Sequence, residues 1–536
     1  MLSSIKSHIP GWSVFFQALI TLVVPLLIYR IYKALTSLAD DKLVSSGGAD
    51  SSSDEEPTHP ISASYDANID EIRNTIGINS DVVIRELTMG DAKVRAALIF
   101  VKGMQEDQLL KMEIMRMLRD TEPDHPLPII ERLPTNAAHT ISTMEELTKA
   151  VLFGYLALMI DGRDEGFLIN PPSGPARDIT EPVSESLLRG SRIGFTEDIN
   201  VNTAMLRKQG VTDKLQVRSF MVGHTIQKEL AILYLDQIVN PDLLREVIDR
   251  IERVKLDFAA ESGYIEQMIE DNYLSPFQQT QNTERPDRVI AALLEGRIAI
   301  LLDGTPFALI VPVTFSMLLQ SPEDYFERWM PGSLLRILRF LAAFIALMAP
   351  SLYISFISFH PGLIPTELAL TIIETRQGVP FPALIEVMIL EISIEILREA
   401  GIRLPKPIGP AMGIVGGLVI GEAAVKAGIV SPFLVIVVAV TAISSFSIPM
   451  YSAGITLRLL RFVGMLFASI LGMFGTILFF LLICCHLSKL KSFGVPYLTP
   501  LTPFRWSDWK DFFVRVPIFL MKRRPKLMKT MQNKRR

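Results

Sequence analysis

"GYLALMIDGRDEGFLINPP" (residues 154–172) and "GRIAILLDGTPFALIVPVT" (residues 296–314) are two versions of one pattern: a glycine, an apolar run, Asp-Gly, and a second apolar run. Short aliphatic runs on either side of Asp-Gly predict a β-hairpin, so the pattern predicts the same hairpin twice. Upstream of each copy lies a second matched unit, "VVIRELTMGDAKVRAALIFVKGM" (82–104) and "LQVRSFMVGHTIQKELAILYLDQ" (215–237), each followed by a helix-like segment. A repeated strand-and-helix unit of this size predicts an α/β region of two related subdomains, 79–175 and 213–320, joined by a polar connector at 176–212. Asp161 and Asp303 end strands and precede glycine, where a catalytic carboxylate could sit, but the turn alone accounts for both. The region holds no histidine cluster, nucleophile elbow or phosphate-binding loop, so neither an enzyme nor a cofactor or metal site is expected.

The rest of the 536-residue chain is different in kind. Its hydrophobic content of 49% and mean hydropathy of +0.33 are high for a soluble protein of this length. Residues 9–29 are uncharged and long enough to span a bilayer, with Arg30 and Lys33 behind them and no small-residue cleavage site. Segment 1–36 is therefore expected to be an uncleaved anchor, its C-terminal end inside, and 37–78 an acidic Ser/Gly-rich disordered tether. Four apolar runs, 340–359, 408–421, 431–450 and 462–485, predict an α-helical polytopic membrane domain over 334–488. Arg336 and Arg339 ahead of the first run place the α/β region in the cytoplasm. The stretch from His486 to Arg536 carries thirteen Lys/Arg against two Asp. Directly after a membrane segment it reads as a basic cytoplasmic tail (489–536) touching anionic lipid rather than nucleic acid. With both the soluble region and the tail inside, the number of crossings between them must be even. The neighbouring Cys484 and Cys485 sit in an apolar run, as packing or lipid-facing residues.

Two features of the membrane half are candidate sites. Gly409, Gly413, Gly417 and Gly421 recur every fourth residue and predict a smooth helix face for close packing against another helix. "PFPALIEVMILEISIEILREAG" (380–401) carries Glu386, Glu391, Glu395 and Glu399, of which the last three share a narrow helical arc. Three carboxylates facing lipid would cost about 8 to 10 kcal/mol on insertion scales, comparable with what a whole apolar helix gains, which excludes lipid exposure. Either this helix lies at the interface, or it crosses with its glutamates turned to a polar cavity. Arg398 and Arg403 lie within a turn of Glu395 and Glu399. If the segment crosses, the four runs become five and one end is misplaced unless another segment is re-entrant.

Residues 275–329, the connector stretch "EPVSESLLRGSRIGFTEDINVNTAMLR", the glutamate segment, "GIVGGLVIGEAAVKAGIVSP" and "SFGVPYLTPLTPF" together closely resemble the GerA family, the A subunits of spore germinant receptors, from about residue 80 to 520. The resemblance implies a protein of the spore inner membrane that works with a transporter-like B subunit and a C-subunit lipoprotein. It further implies a homo-oligomer, a pentamer by analogy, that releases monovalent cations through a ligand-gated channel as germination begins. On that footing Glu386, Glu391 and Glu395 are expected to line the ion pathway. The chain departs from the family in its apolar N-terminal segment and acidic tether, and in "RGSRIGF" where proline often follows the "RG". A secondary transporter and a membrane-anchored scaffold for germination proteins are the alternative functions.

Overall fold

The computed structural model describes Arg30 and residues 59–89, 94–104, 138–169, 181–182, 184–185, 187–210, 212–403, 421–505 and 508–534. Residues 1–58 and 59–536 are separate units; the anchor apart from Arg30, and residues 37–58 of the expected tether, lie outside the described residues. Residues 59–78, expected to be the disordered end of that tether, are instead folded, because Ile61, Ile69, Ile72 and Ile76 bury against the first subdomain. In the second unit the repeat becomes two five-stranded antiparallel sheets. Strands β1 (Val82–Met89), β2 (Val94–Val101), β3 (Ala138–Ile141), β4 (Leu156–Ile160) and β5 (Gly166–Ile169) lie in the order β1-β2-β4-β5-β3. Strands β6 (Leu215–Val222), β7 (Lys228–Leu235), β8 (Gln281–Thr283), β9 (Ile298–Leu302) and β10 (Ala308–Val311) lie in the order β6-β7-β9-β10-β8. The two orders are the same topology.

The quoted runs are apolar at every position because both faces of each hairpin are buried. In β9, Ile298, Ile300 and Leu302 enter one core while Ala299 and Leu301 enter the other. In β4, Leu156, Leu158 and Ile160 face one side and Ala157 and Met159 the opposite side. Helices α1 (Tyr65–Thr75) and α2 (Met144–Phe153) both pack on the Ala157 and Met159 face of the first sheet, while α3 (Ile199–Lys208) and α6 (Pro286–Leu294) cover one face of the second and α4 (Pro241–Glu252) and α5 (Ser262–Ile269) the other. The glycine that opens each repeat ends the preceding helix: Gly154 and Gly296 take φ of 107° and 85°, the left-handed region where a side chain is strained. Asp161 and Asp303 do structural work. Asp161 pairs with Arg95 at 3.2 Å, and Asp303 accepts the Ile199 N–H at the start of α3. The subdomains are joined by a bidentate, fully buried pair, Arg207 to Asp81 at 2.6 and 2.9 Å, and by Ser80 and Asn79 bonding to Val217 on the edge of β6.

After β10, short helices α7 (Phe315–Leu319) and α8 (Glu323–Phe326) lead into α9 (Trp329–Ser358). Helices α10 (Thr366–Arg376), α11 (Ala383–Arg403), α12 (Pro432–Phe446) and α13 (Tyr451–Lys489) follow. Among the described residues α9 and α13 are long and apolar enough to cross a membrane. The fourth apolar run, read in the sequence as a single span, is two helical arms. At Gly472 the backbone takes φ 60° and ψ −137°, and the chain reverses. A Cβ built on Gly464 would stand 2.7 Å from the Phe479 ring, whereas fifteen residues of straight helix would separate the two by about 22 Å. Both ends of this hairpin return to one loop of the second subdomain, Thr456 donating to the Pro276 carbonyl and His486 bonding to Ser275 at 2.8 Å.

The basic tail folds back onto the α/β region. Strands β11 (Lys491–Ser492) and β12 (Val495–Pro496) form a small hairpin whose Ser492 hydroxyl donates to the Gln279 carbonyl. The Phe493 N–H donates to Asp271, and the buried Tyr497 hydroxyl donates to the Gln278 carbonyl. Farther along, Arg515 and Arg524 are buried in protein, donating to the Asp324 and Leu294 carbonyls. Lys522, Arg523, Lys526, Lys529 and Lys534 remain exposed.

Candidate functional site

Helix α11 carries the four glutamates, and its neighbours decide what each can do. Glu386 is fully buried; it accepts from Arg376 of α10 at 2.5 Å and from the Ser431 N–H that opens α12. Ser431 caps α12 by accepting the Leu434 N–H, and its hydroxyl meets that of Tyr353 on α9. One and a half turns farther on, Glu391 is buried against Arg461 of α13 at 2.8 Å. Glu395 lies between Arg458 of α13 at 3.3 Å and Arg398 of its own helix at 3.6 Å. Arg398 also donates to Ser445 near the end of α12 and covers the Phe446 ring. Glu399 pairs with Arg403 at the exposed rim.

The contacts fix directions. Glu386 meets the first residue before α12 and Arg398 meets its last turn, so α11 and α12 run parallel. Glu391 meets Arg461 and Glu395 meets Arg458, so α11 runs antiparallel to the first arm of α13. Helix α11 has 21 residues, about 31 Å of rise, and traverses the helical region beside them.

The sequence places the glutamates together on one helix with Arg398 and Arg403 beside the last two; the structure adds Arg376 to Glu386, Arg461 to Glu391 and Arg458 to Glu395. Arg376, Arg458 and Arg461 were not singled out from the sequence, because each pairs with a glutamate on another helix, 10 to 70 residues away. The signal was present: two arginines three apart inside "GITLRLLRFVGML" are as costly in an apolar helix as the glutamates, and opposite charges in such places pair. Arg398, Arg458 and Arg461 outnumber Glu391 and Glu395 here. Hydrogen bonding is incomplete: Glu391 Oε1, Arg461 Nε and Nη1, and Arg398 Nε and Nη1 are buried with no hydrogen-bond partner. Unspent donors and an unspent acceptor at neighbouring positions form a polar seam that can hold water or an ion. Any cation entering it meets carboxylates already compensated by guanidinium groups.

Of the glycine stripe, Gly409, Gly413 and Gly417 lie outside the described residues. At Gly421 an added Cβ would meet Val435 at 3.6 Å, an ordinary contact. Closer helix approaches among the described residues fall elsewhere: an added Cβ on Gly475 would run into the Phe467 carbonyl oxygen of the other arm of α13. At Gly464 an added Cβ would stand 2.7 Å from Phe479 and 2.9 Å from Ser351 of α9.

The family described as Bacillus/Clostridium GerA spore germination protein matches residues 70–527. Spore germination protein GerLA of Bacillus cereus is 43% identical over 465 residues, 86% of this chain and 94% of its own length. The uncharacterized membrane protein YfkQ of Bacillus subtilis (strain 168) is 41% identical over 470 residues, 87% of this chain and 91% of its own. Among solved structures, that of the N-terminal domain of the A subunit of the Bacillus megaterium spore germinant receptor GerK3 is 28% identical. It covers 48% of this chain and 99% of its own, with a TM-score of 0.38.

Proposed function

The chain belongs to the GerA family of spore germination proteins, and from that membership we propose that it is the A subunit of a spore germinant receptor, oligomerising into a nutrient-gated cation channel. Its partners on this reading are a transporter-like B subunit, a C-subunit lipoprotein and further copies of itself, a pentamer by family analogy, in the spore inner membrane. The observation that carries the channel is the buried ion-pair chain on α11. Ionisable side chains deep among apolar helices are costly and mark ion pathways.

Glu386, Glu391 and Glu395 border that pathway, and in the resting state Arg376, Arg461 and Arg458 hold them. Opening exchanges these pairs for cations and water, so the guanidinium groups act as the gate and the carboxylates as the selective lining. Topology supports the same reading. The tail bonds to the second subdomain, so both lie on one side, here the cytoplasmic side, and the crossings between them must be even. Helices α9, α11, α12 and the two arms of α13 give five passages on this reading. The run 408–421, outside the described residues but for Gly421 and expected from its sequence alone to cross, would make the count even. The reversal at Gly472 thus removes the conflict that a crossing α11 creates when 462–485 is counted once.

The test is potassium efflux from cells expressing the chain with its partner subunits, for wild type and Glu391→Gln. Nutrient-dependent efflux altered by the substitution is expected. A wild-type chain that oligomerises and passes no ions removes the channel; unchanged efflux in the variant removes only the glutamate assignment.

A further inference from the structure

In the loop after α5, Tyr273 and Leu274 leave 79% and 78% of their surface uncovered. The turn that presents them is closed. Asn272 Oδ1 accepts the Leu274 N–H, the Asn272 carbonyl accepts the Ser275 N–H, and the Gln279 side chain bonds the Asn272 main chain through both its amide oxygen and its nitrogen. With those N–H groups satisfied inside the turn, its tip can enter a poorly hydrated layer without stranding them.

What the tip faces follows from its depth. The next two residues, Ser275 and Pro276, are the ones that meet His486 and Thr456 of α13. His486 is fourteen residues from the reversal at Gly472 and Thr456 is sixteen, so the loop joins the arms no more than about 21 to 24 Å from the reversal. The hydrocarbon layer of a bilayer is about 30 Å thick. The reversal is itself apolar, with Ile470 and Phe474 on either side of it 73% and 67% exposed, and so does not stand out into water. If α13 crosses the membrane, its loop partner therefore lies at the cytoplasmic edge of the hydrocarbon. That layer favours tyrosine, whose ring is apolar and whose hydroxyl stays wet. Lys489 and Lys491, exposed just beyond His486, supply ammonium groups for the adjoining phosphates.

We propose that Tyr273 and Leu274 form an interfacial anchor that enters the cytoplasmic leaflet of the bilayer, Leu274 among the acyl chains and Tyr273 at the level of the headgroups. The α/β region is then held to lipid by the same loop that receives both ends of α13. This inference rests on the membrane-spanning reading of α13 given above.

The experiment attaches a nitroxide spin label at Tyr273→Cys, at Leu274→Cys and, as a reference, at Leu481→Cys, a position 53% exposed on the second arm of α13. Each is made in the full chain carrying Cys484→Ala and Cys485→Ala, in nanodiscs of phosphatidylcholine and phosphatidylglycerol. Collision with oxygen, which concentrates in lipid, is compared with collision with a water-soluble nickel chelate. Both loop positions should give an oxygen-to-chelate ratio at least about threefold above that of a free nitroxide in water, and Leu481 a higher one. A loop ratio equal to the free nitroxide's, with Leu481 in lipid, overturns the anchor and leaves the spanning reading in place. Exclusion of both reagents from the loop overturns it as well, and assigns the pair to a contact with a second copy of the chain. A Leu481 ratio as low as the free nitroxide's removes the spanning reading and the anchor with it.

Discussion

A buried carboxylate is stable only with its partner, and that asymmetry makes the individual pairs of α11 measurable. Replacing Glu391 with glutamine leaves Arg461 buried and uncompensated, a loss of about 3 to 5 kcal/mol. Exchanging both for neutral residues of similar size removes the stranded charge, so Glu391→Gln with Arg461→Gln should recover most of that loss. Denaturant unfolding of the four proteins of this cycle in detergent micelles checks it. A coupling energy below about 1 kcal/mol would show that the two side chains do not share a site. The same arithmetic applies to Asp81→Ala, whose partner Arg207 is equally buried; there the loss should appear in the α/β region, on which the subdomain junction depends. The glutamates were legible in the sequence because four carboxylates in an apolar run violate the local rule. Arg398 and Arg403 on the same helix were legible too, whereas Arg376, Arg458 and Arg461 were not, because those pairs join residues 10 to 70 positions apart and periodicity reports only on one element at a time.

Elements were legible where the pattern was local and obscure where a single backbone conformation decided the outcome. The doubled hairpin could be read because Asp-Gly and two apolar runs lie within twenty residues, and the same strand order in both sheets follows from the same order of motifs. The reversal in α13 rests on Gly472, which looks in the sequence like any of the glycines between residues 454 and 475. Only its φ of 60° and ψ of −137°, with a built Cβ 2.8 Å from Phe359 Cβ, distinguish it. Gly472→Ala should therefore cost about 3 kcal/mol or more, through an unfavourable backbone region and a clash with a main-chain-proximal atom. Gly421→Ala should change stability by no more than about 0.5 kcal/mol, since its Cβ meets only ordinary contact. Thermal unfolding of the two variants in micelles separates the cases. A large loss at Gly421 would restore close packing to the glycine stripe at that position, and a small loss at Gly472 would mean the arms are not locked by that turn.

At the scale of the whole molecule, the α/β and helical regions meet at the loop from Asp271 to Gln279, and that joint rests on acids. Gln279 donates its N–H to Glu270 at 2.5 Å, and Thr280 donates its hydroxyl to Glu266 at 2.6 Å. The same loop receives Tyr497, Ser492 and Phe493 from the tail and Thr456 and His486 from the two ends of α13. Burial pushes the Glu270 carboxyl up to about 7, the Gln279 N–H opposing the shift and the neighbouring Glu266 and Asp271 adding to it. Burial also raises Glu266, the Thr280 hydroxyl opposing it. Arg250, bound to Asp271 and Glu246, is the cation beside this cluster. For an acid whose folded pKa exceeds its unfolded value near 4.3, the folded state binds more protons between the two. The stability contributed by Glu270 is then complete below about pH 4.3, falls as pH rises through 7, and is flat above. The joint should accordingly loosen across neutrality. Hydrogen exchange of the Gln279 and Thr280 amides, corrected for intrinsic rates, should show protection falling from pH 6 to pH 8 in wild type. Glu270→Gln, neutral at every pH, should hold protection nearly constant over that interval. Equal pH dependence in the two proteins would assign the effect to another group, with His486 the next to substitute because its ring touches the same loop.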